Sequence, residues 1–149
     1  MGIMYVFGSK PTSVCGAYFR NNEWWWGIMA EYFIMVAPEK CAPCGEWFIA
    51  DGDGLDAAAA VALAEALQKE VDSGRTETFA QEREATMPMR DEECHACGGT
   101  GWRPPGAPRV VDYVRPRTRL YPFSTENVVN FIAFLRDSGG FAIGCLKRC

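Results

Sequence analysis

Cys41-Ala42-Pro43-Cys44-Gly45 and Cys94-His95-Ala96-Cys97-Gly98 each set two thiols across a two-residue spacer, with Gly directly after the pair. That spacing brings two sulfurs onto one ion, and zinc takes four such ligands in a tetrahedron at about 2.3 Å. Cys41, Cys44, Cys94 and Cys97 therefore read as a four-thiolate zinc site. A site with every position filled by protein holds structure together and leaves no position for a substrate. The Gly after each pair allows a tight backbone turn that a β-branched residue would resist. His95, flanked by two better ligands, reads as an exposed side chain.

Seven cysteines leave three over. Cys15 and Cys145 read as buried thiols, because free Cys packs as a small hydrophobe. Cys149 is terminal. These three together with His95 would make a second ligand set, but no C-x-x-C spacing supports it. Cys41 to Cys44 also has the form of a thioredoxin-type dithiol. No βαβ pattern surrounds it, and a second C-x-x-C is available to share a metal, so coordination is the stronger reading.

The elements that must position these cysteines follow from periodicity and caps. Ile3 to Phe7 reads as a short strand closed by Gly8-Ser9-Lys10-Pro11. Val14 to Phe19 reads as a second short strand or an irregular packed segment. Asn21-Asn22 offers a helix N-cap, with Glu23 in the first turn. The apolar run 24–36 then fits a helix, with Trp25, Ile28, Met29, Tyr32 and Val36 on its core side, although its second half also suits a strand. Successive helical positions point about 100° apart, so Trp24, Trp25 and Trp26 cannot all face one core. Trp24 and Trp26 are the candidate partner-binding aromatics.

Glu46 to Ala50 reads as a strand leaving the first cysteine pair. Asp51-Gly52-Asp53-Gly54 lacks the ligand order of a calcium loop, and Ala62 stands where the bidentate Glu would be. Asp53 or Gly54 instead caps a helix over 55–72, with Asp56 in its first turn. Its core stripe is Ala60, Leu63, Ala64, Leu67 and Val71, and Ser73-Gly74 stops it. Residues 76–84 extend as a polar helix anchored by Phe79 and Ala80. Beyond the second cysteine pair, 110–114 and 117–121 read as strands around Arg115-Pro116. Ser124 caps a helix carrying Val128, Phe131, Ile132 and Leu135 at i, i+3, i+4 and i+7. Gly139-Gly140 ends it, and 141–145 returns as a strand. The expected fold is α+β: a small mixed or antiparallel sheet and two or three main helices in a single zinc-stabilised domain over residues 1–149.

The chain's 149 residues, 48% hydrophobic and 13% aromatic, suffice for one real core. No apolar run reaches the roughly 18–20 residues that span a bilayer. The N-terminal residues lack the basic segment and apolar core of a signal peptide. A cytoplasmic protein is expected. The net charge of −4 hides an asymmetry, with −8 over residues 51–93 and +5 over 103–149. These regions either attract each other or meet a charged partner.

Cys94-x-x-Cys97-Gly98-Gly99-Thr100-Gly101 resembles one repeat of the cysteine-rich zinc module of DnaJ-type chaperones. That module has four repeats, and no J-domain signature occurs in this chain, so the resemblance implies a metal-binding turn alone. Cys41-x-x-Cys44-Gly45 is similar to the knuckle of zinc ribbons. Tyr18-Phe19-Arg20-Asn21-Asn22-x-Trp24-Trp25-Trp26, with the segment from Asn127 to Phe141, resembles small uncharacterised bacterial and phage-associated zinc-binding proteins. This resemblance implies a mobile-element or host-interaction setting.

The lone His95 lies inside a cysteine pair, and no Ser/His/Asp set, H-E-x-x-H helix or phosphate loop is present. Function is therefore expected to be non-enzymatic: a protein-interaction module, such as a phage-encoded inhibitor of host machinery. The alternative is nucleic-acid binding through Arg115, Arg117 and Arg119, which alternate along a strand and so share one face. The acidic sequence pI of about 5.0 weighs against it.

Overall fold

The computed structural model describes residues 3–85 and 123–144. Four short strands form one antiparallel sheet in the order β2-β1-β4-β3, with β1 at Ile3–Gly8, β2 at Tyr18–Asn22, β3 at Gly54–Asp56 and β4 at Gly140–Gly144. The helices are α1 (Glu23–Val36), α2 (Pro38–Cys41), α3 (Ala57–Asp72), α4 (Arg75–Ala85) and α5 (Thr125–Ser138). The α+β class and an antiparallel sheet are as the sequence implies, with more helices than expected.

Alternation along the strands divides the sheet into two faces. Val6 pairs with Phe19 on one side and Ile143 on the other, and Leu55 pairs with Phe141. These residues join the core that α1, α3 and α5 cover. Tyr5, Phe7, Tyr18 and Arg20 lie on the opposite face, where the rings of Tyr5 and Phe7 stack at 5.8 Å.

Phe131 on α5 is the hub of the core. Its ring stacks on Phe33 at 5.0 Å and meets Trp26 edge-on at 5.5 Å and Phe19 at 5.1 Å. A second aromatic group, Tyr32, Phe79 and Phe123, has all three ring separations at 4.8 Å. The buried Tyr32 hydroxyl is 2.8 Å from Thr76 Oγ1, which pins α4 to α1 through the one polar atom of that group.

Local chemistry sets the element ends. Asn22 Oδ1 accepts from Trp24 N at 2.9 Å, and Ser124 Oγ accepts from Asn127 N at 3.2 Å, both as the sequence implies. Gly139 closes α5 at φ 66°, and a Cβ there would lie 2.5 Å from the Lys10 carbonyl oxygen.

Four expectations are corrected. The N-cap of α3 is Asp56, whose Oδ1 accepts from Ala59 N at 2.8 Å, so neither Asp53 nor Gly54 serves. Residues 46–50 form no strand and bend at 47–49, because Trp47 is drawn into the core while Phe48 and Ile49 in succession both turn outward. On α1 Met29 and Tyr32 are buried as expected, but Trp26, Ala30 and Phe33 complete the core stripe in place of Trp25, Ile28 and Val36, and Trp25 is 39% exposed. Cys15 is exposed within a short 3-10 turn, Val14–Gly16, rather than buried.

Truncating the hub should be costly and truncating a surface ring should not. Phe131→Ala is expected to lower the unfolding free energy by about 3–5 kcal/mol, read from the urea midpoint. Phe48→Ala, at a half-exposed site, should change it by less than about 0.5 kcal/mol.

Candidate metal centre

Pro38 starts α2 at a position where its missing N–H costs nothing, and the helix lasts one turn. Cys41 ends it, and Cys44 N donates to the Cys41 carbonyl at 3.1 Å. The turn leaves both side chains inside, with Cys41 2% and Cys44 4% exposed.

Two contacts hold this turn in place. Asp53 Oδ2 accepts from Gly45 N at 2.8 Å and Glu46 N at 3.1 Å, clamping the residues just after Cys44. A Cβ on Gly45 would stand 3.2 Å from the same oxygen, a tight contact that the carboxylate would have to ease by a few tenths of an ångström. From the other side, Trp47 Nε1 donates to the Cys41 carbonyl at 3.2 Å. The Trp47 carbonyl in turn accepts from Trp26 Nε1 at 2.6 Å, and the two indoles stack at 6.2 Å. A relay from α1 through Trp47 thus fixes the carbonyl of the first cysteine. Sequence reading treated Trp47 as part of a strand and missed this role. Its place three residues after Cys44 was the available signal.

Burial pushes the Cys41 thiol up to about 12, and the neighbouring Cys44 adds to the shift. Burial likewise raises Cys44 to about 11; the Glu46 amide pulls the other way, and the carboxylates of Asp53, Asp51 and Glu46 push it up further. Two thiols so placed stay protonated unless a cation supplies the opposing charge. Soft donors, exclusion from water and surrounding carboxylates all suit a divalent thiophilic ion, so the pair fits half of a zinc site. Among the described residues, no group of three or more His, Cys, Asp or Glu side chains could hold a metal. Cys94, His95, Cys97, Cys145 and Cys149 lie outside the described residues, as do Arg115, Arg117 and Arg119.

The aromatic candidates separate. Trp26, expected to be a partner contact, is 1% exposed and belongs to the core and the relay. Trp24 is half-buried and lines a surface groove of about 340 Å³ together with Met4, Gly27, Ile28 and Phe48, with the exposed Glu23 and Glu31 also in its lining. Trp26 contributes to its floor. Gly27 is in the helix interior, where Gly costs about 1 kcal/mol relative to Ala, and a Cβ there would meet no atom of the described residues within 4 Å.

No family model, curated protein or solved structure matches the chain. No helix among the described residues is long and apolar enough to cross a membrane.

The thiol shifts carry a sign. Both folded values lie above the ordinary 9.0, so folded thiols keep protons that unfolded thiols shed. In the metal-free chain their contribution to stability is whole below pH 9 and is lost as pH rises toward about 12. Urea unfolding should show a smaller loss between pH 8 and pH 10 for the Cys41→Ala/Cys44→Ala chain than for the parent. Asp53→Ala should release the clamp and speed alkylation of Cys44 in the native, metal-free protein, while the rate at exposed Cys15 stays unchanged.

Proposed function

We propose that this chain is a non-enzymatic, zinc-stapled module that binds another protein, with its binding surface built on α1 and on the residues that follow the first cysteine pair. The observation that carries the reading is a second apolar stripe on α1. Trp24, Gly27 and Ile28 stand at i, i+3 and i+4 and line the groove, with the carboxylate of Glu31 one turn on at i+7. The same spacing continues to Ile34 and Met35, and Met35 is 57% exposed. A helix that is apolar beyond its core stripe needs cover from elsewhere, and exposed apolar surface of this kind marks interaction sites. Phe48, which also lines the groove, is 50% exposed, and its neighbour Ile49 is 57% exposed. Both follow the Cys41–Cys44 turn directly, so a staple at that turn would hold one wall of the surface.

Zinc held by Cys41, Cys44, Cys94 and Cys97 would supply folding energy and no reaction chemistry. The partner is a component of a host machinery, in keeping with the small size and the acidic stretch 51–93.

Metal analysis of the purified chain is expected to give one zinc per molecule, and Cys94→Ser should release it and lower the melting temperature. Full metal retention in that variant would contradict the staple. For the surface, a partner captured from bacterial lysate by the parent chain should be lost with Met35→Asp and Phe48→Asp, both at exposed positions, with unchanged melting temperatures. Equal capture by the variants would contradict the placement of the surface.

A further inference from the structure

We infer that the groove beside Gly27 takes a basic–apolar segment of the partner: one large apolar side chain between two Lys or Arg residues. This rests on the protein-binding reading above and assigns the chemistry of the bound segment.

Three observations converge on it. The floor and walls are apolar, from Met4, Trp24, Ile28 and Phe48. Glu23 and Glu31, both exposed, line it as well, and among the described residues its lining has no basic side chain and neither carboxylate makes an ion pair. Eight residues of helix separate the two carboxylates, about 12 Å along the axis. Two cations that far apart on one segment would meet both, with the intervening apolar residue over the floor. Charge complementarity of this kind selects the partner and speeds encounter.

Gly27 is the third. Gly is the poorest helix former after Pro, and α1 would be more stable with Ala there. Among the described residues an added Cβ meets no atom within 4 Å, so their packing gives no reason for glycine. The space kept open is the groove itself, and a bare backbone at its centre lets a partner's side chain or main chain come close. Helix stability and groove depth thus make opposite demands at this residue, which makes it a clean probe.

The test uses the full zinc-loaded chain, a displayed library of random twelve-residue peptides, and fluorescence polarisation of the peptides selected. Binders are expected to carry a large apolar residue flanked by Lys or Arg and to weaken as salt rises. Gly27→Leu should weaken them at least tenfold, and Glu23→Gln/Glu31→Gln several-fold with loss of the salt dependence. Gly27→Ala should raise the melting temperature by about 3 °C, showing that the affinity loss at this position is not a folding defect. Acidic or uncharged binders, or basic–apolar binders indifferent to Gly27→Leu, would overturn the assignment. If such binders are instead lost with Met35→Asp, the protein-binding reading stands and the groove assignment alone falls. Concentration-dependent dimers abolished by Gly27→Leu would place a second copy in the groove and also overturn it. Failure to select any peptide would overturn the assignment, and absence of any protein captured through Met35 and Phe48 would remove the wider reading with it.

Discussion

The hydrogen bond from Trp26 Nε1 to the Trp47 carbonyl, at 2.6 Å and fully buried, is the contact on which the arrangement of this protein depends. It joins the aromatic core to the cysteine turn, because Trp47 passes the constraint on to the carbonyl of Cys41. An indole N–H buried without a partner, or a carbonyl left without a donor, costs about 1–3 kcal/mol. Both ends of each bond therefore have reason to stay. Phe33 and Phe141 pack edge-on against Trp47 at 6.2 and 5.7 Å and leave its ring little freedom.

With Trp47 drawn inward, the neighbouring Phe48 and Ile49 face outward. Two successive outward side chains, Phe48 and Ile49, break the alternation of a strand, while Asp53 holds the amides of Gly45 and Glu46. The sheet's edge falls instead to the three residues of β3. One arrangement thus buries two thiols, sets the wall of a groove and places apolar rings on the surface.

Much of the fold was legible in residue patterns. The Ser124 cap, the 128/131/132/135 stripe and the Gly139 stop of α5 all rest on local chemistry, and all are found. The stripe of α3 was legible for the same reason. On α1 the reading took Trp25, Ile28 and Val36 for the core in place of Trp26, Ala30 and Phe33, since a segment apolar nearly all round has no periodic contrast from which to fix its phase. Only tertiary partners, Phe131 and Trp47 above all, decide that Trp26 goes in and Trp25 stays out. The exchange of roles between Asp53 and Asp56 is similar. Either carboxylate suits an N-cap, and the demand of the Gly45 and Glu46 amides, which lie eight and seven residues before Asp53, settles the choice. The C-x-x-C pair was plain in the sequence, but its burial and its dependence on two tryptophans were not.

Trp47 joins the Cys41–Cys44 turn to the exposed Phe48 and Ile49, so under the proposed zinc staple metal binding and surface presentation would be mechanically coupled. Amide hydrogen exchange on the zinc-loaded chain, repeated after zinc is withdrawn by a chelator, tests that coupling most directly. Exchange is expected to rise across residues 41–50 and in the second half of α1, while β1, β4 and α5 keep their protection. Unchanged exchange in 41–50 and α1 after the metal is removed would contradict it.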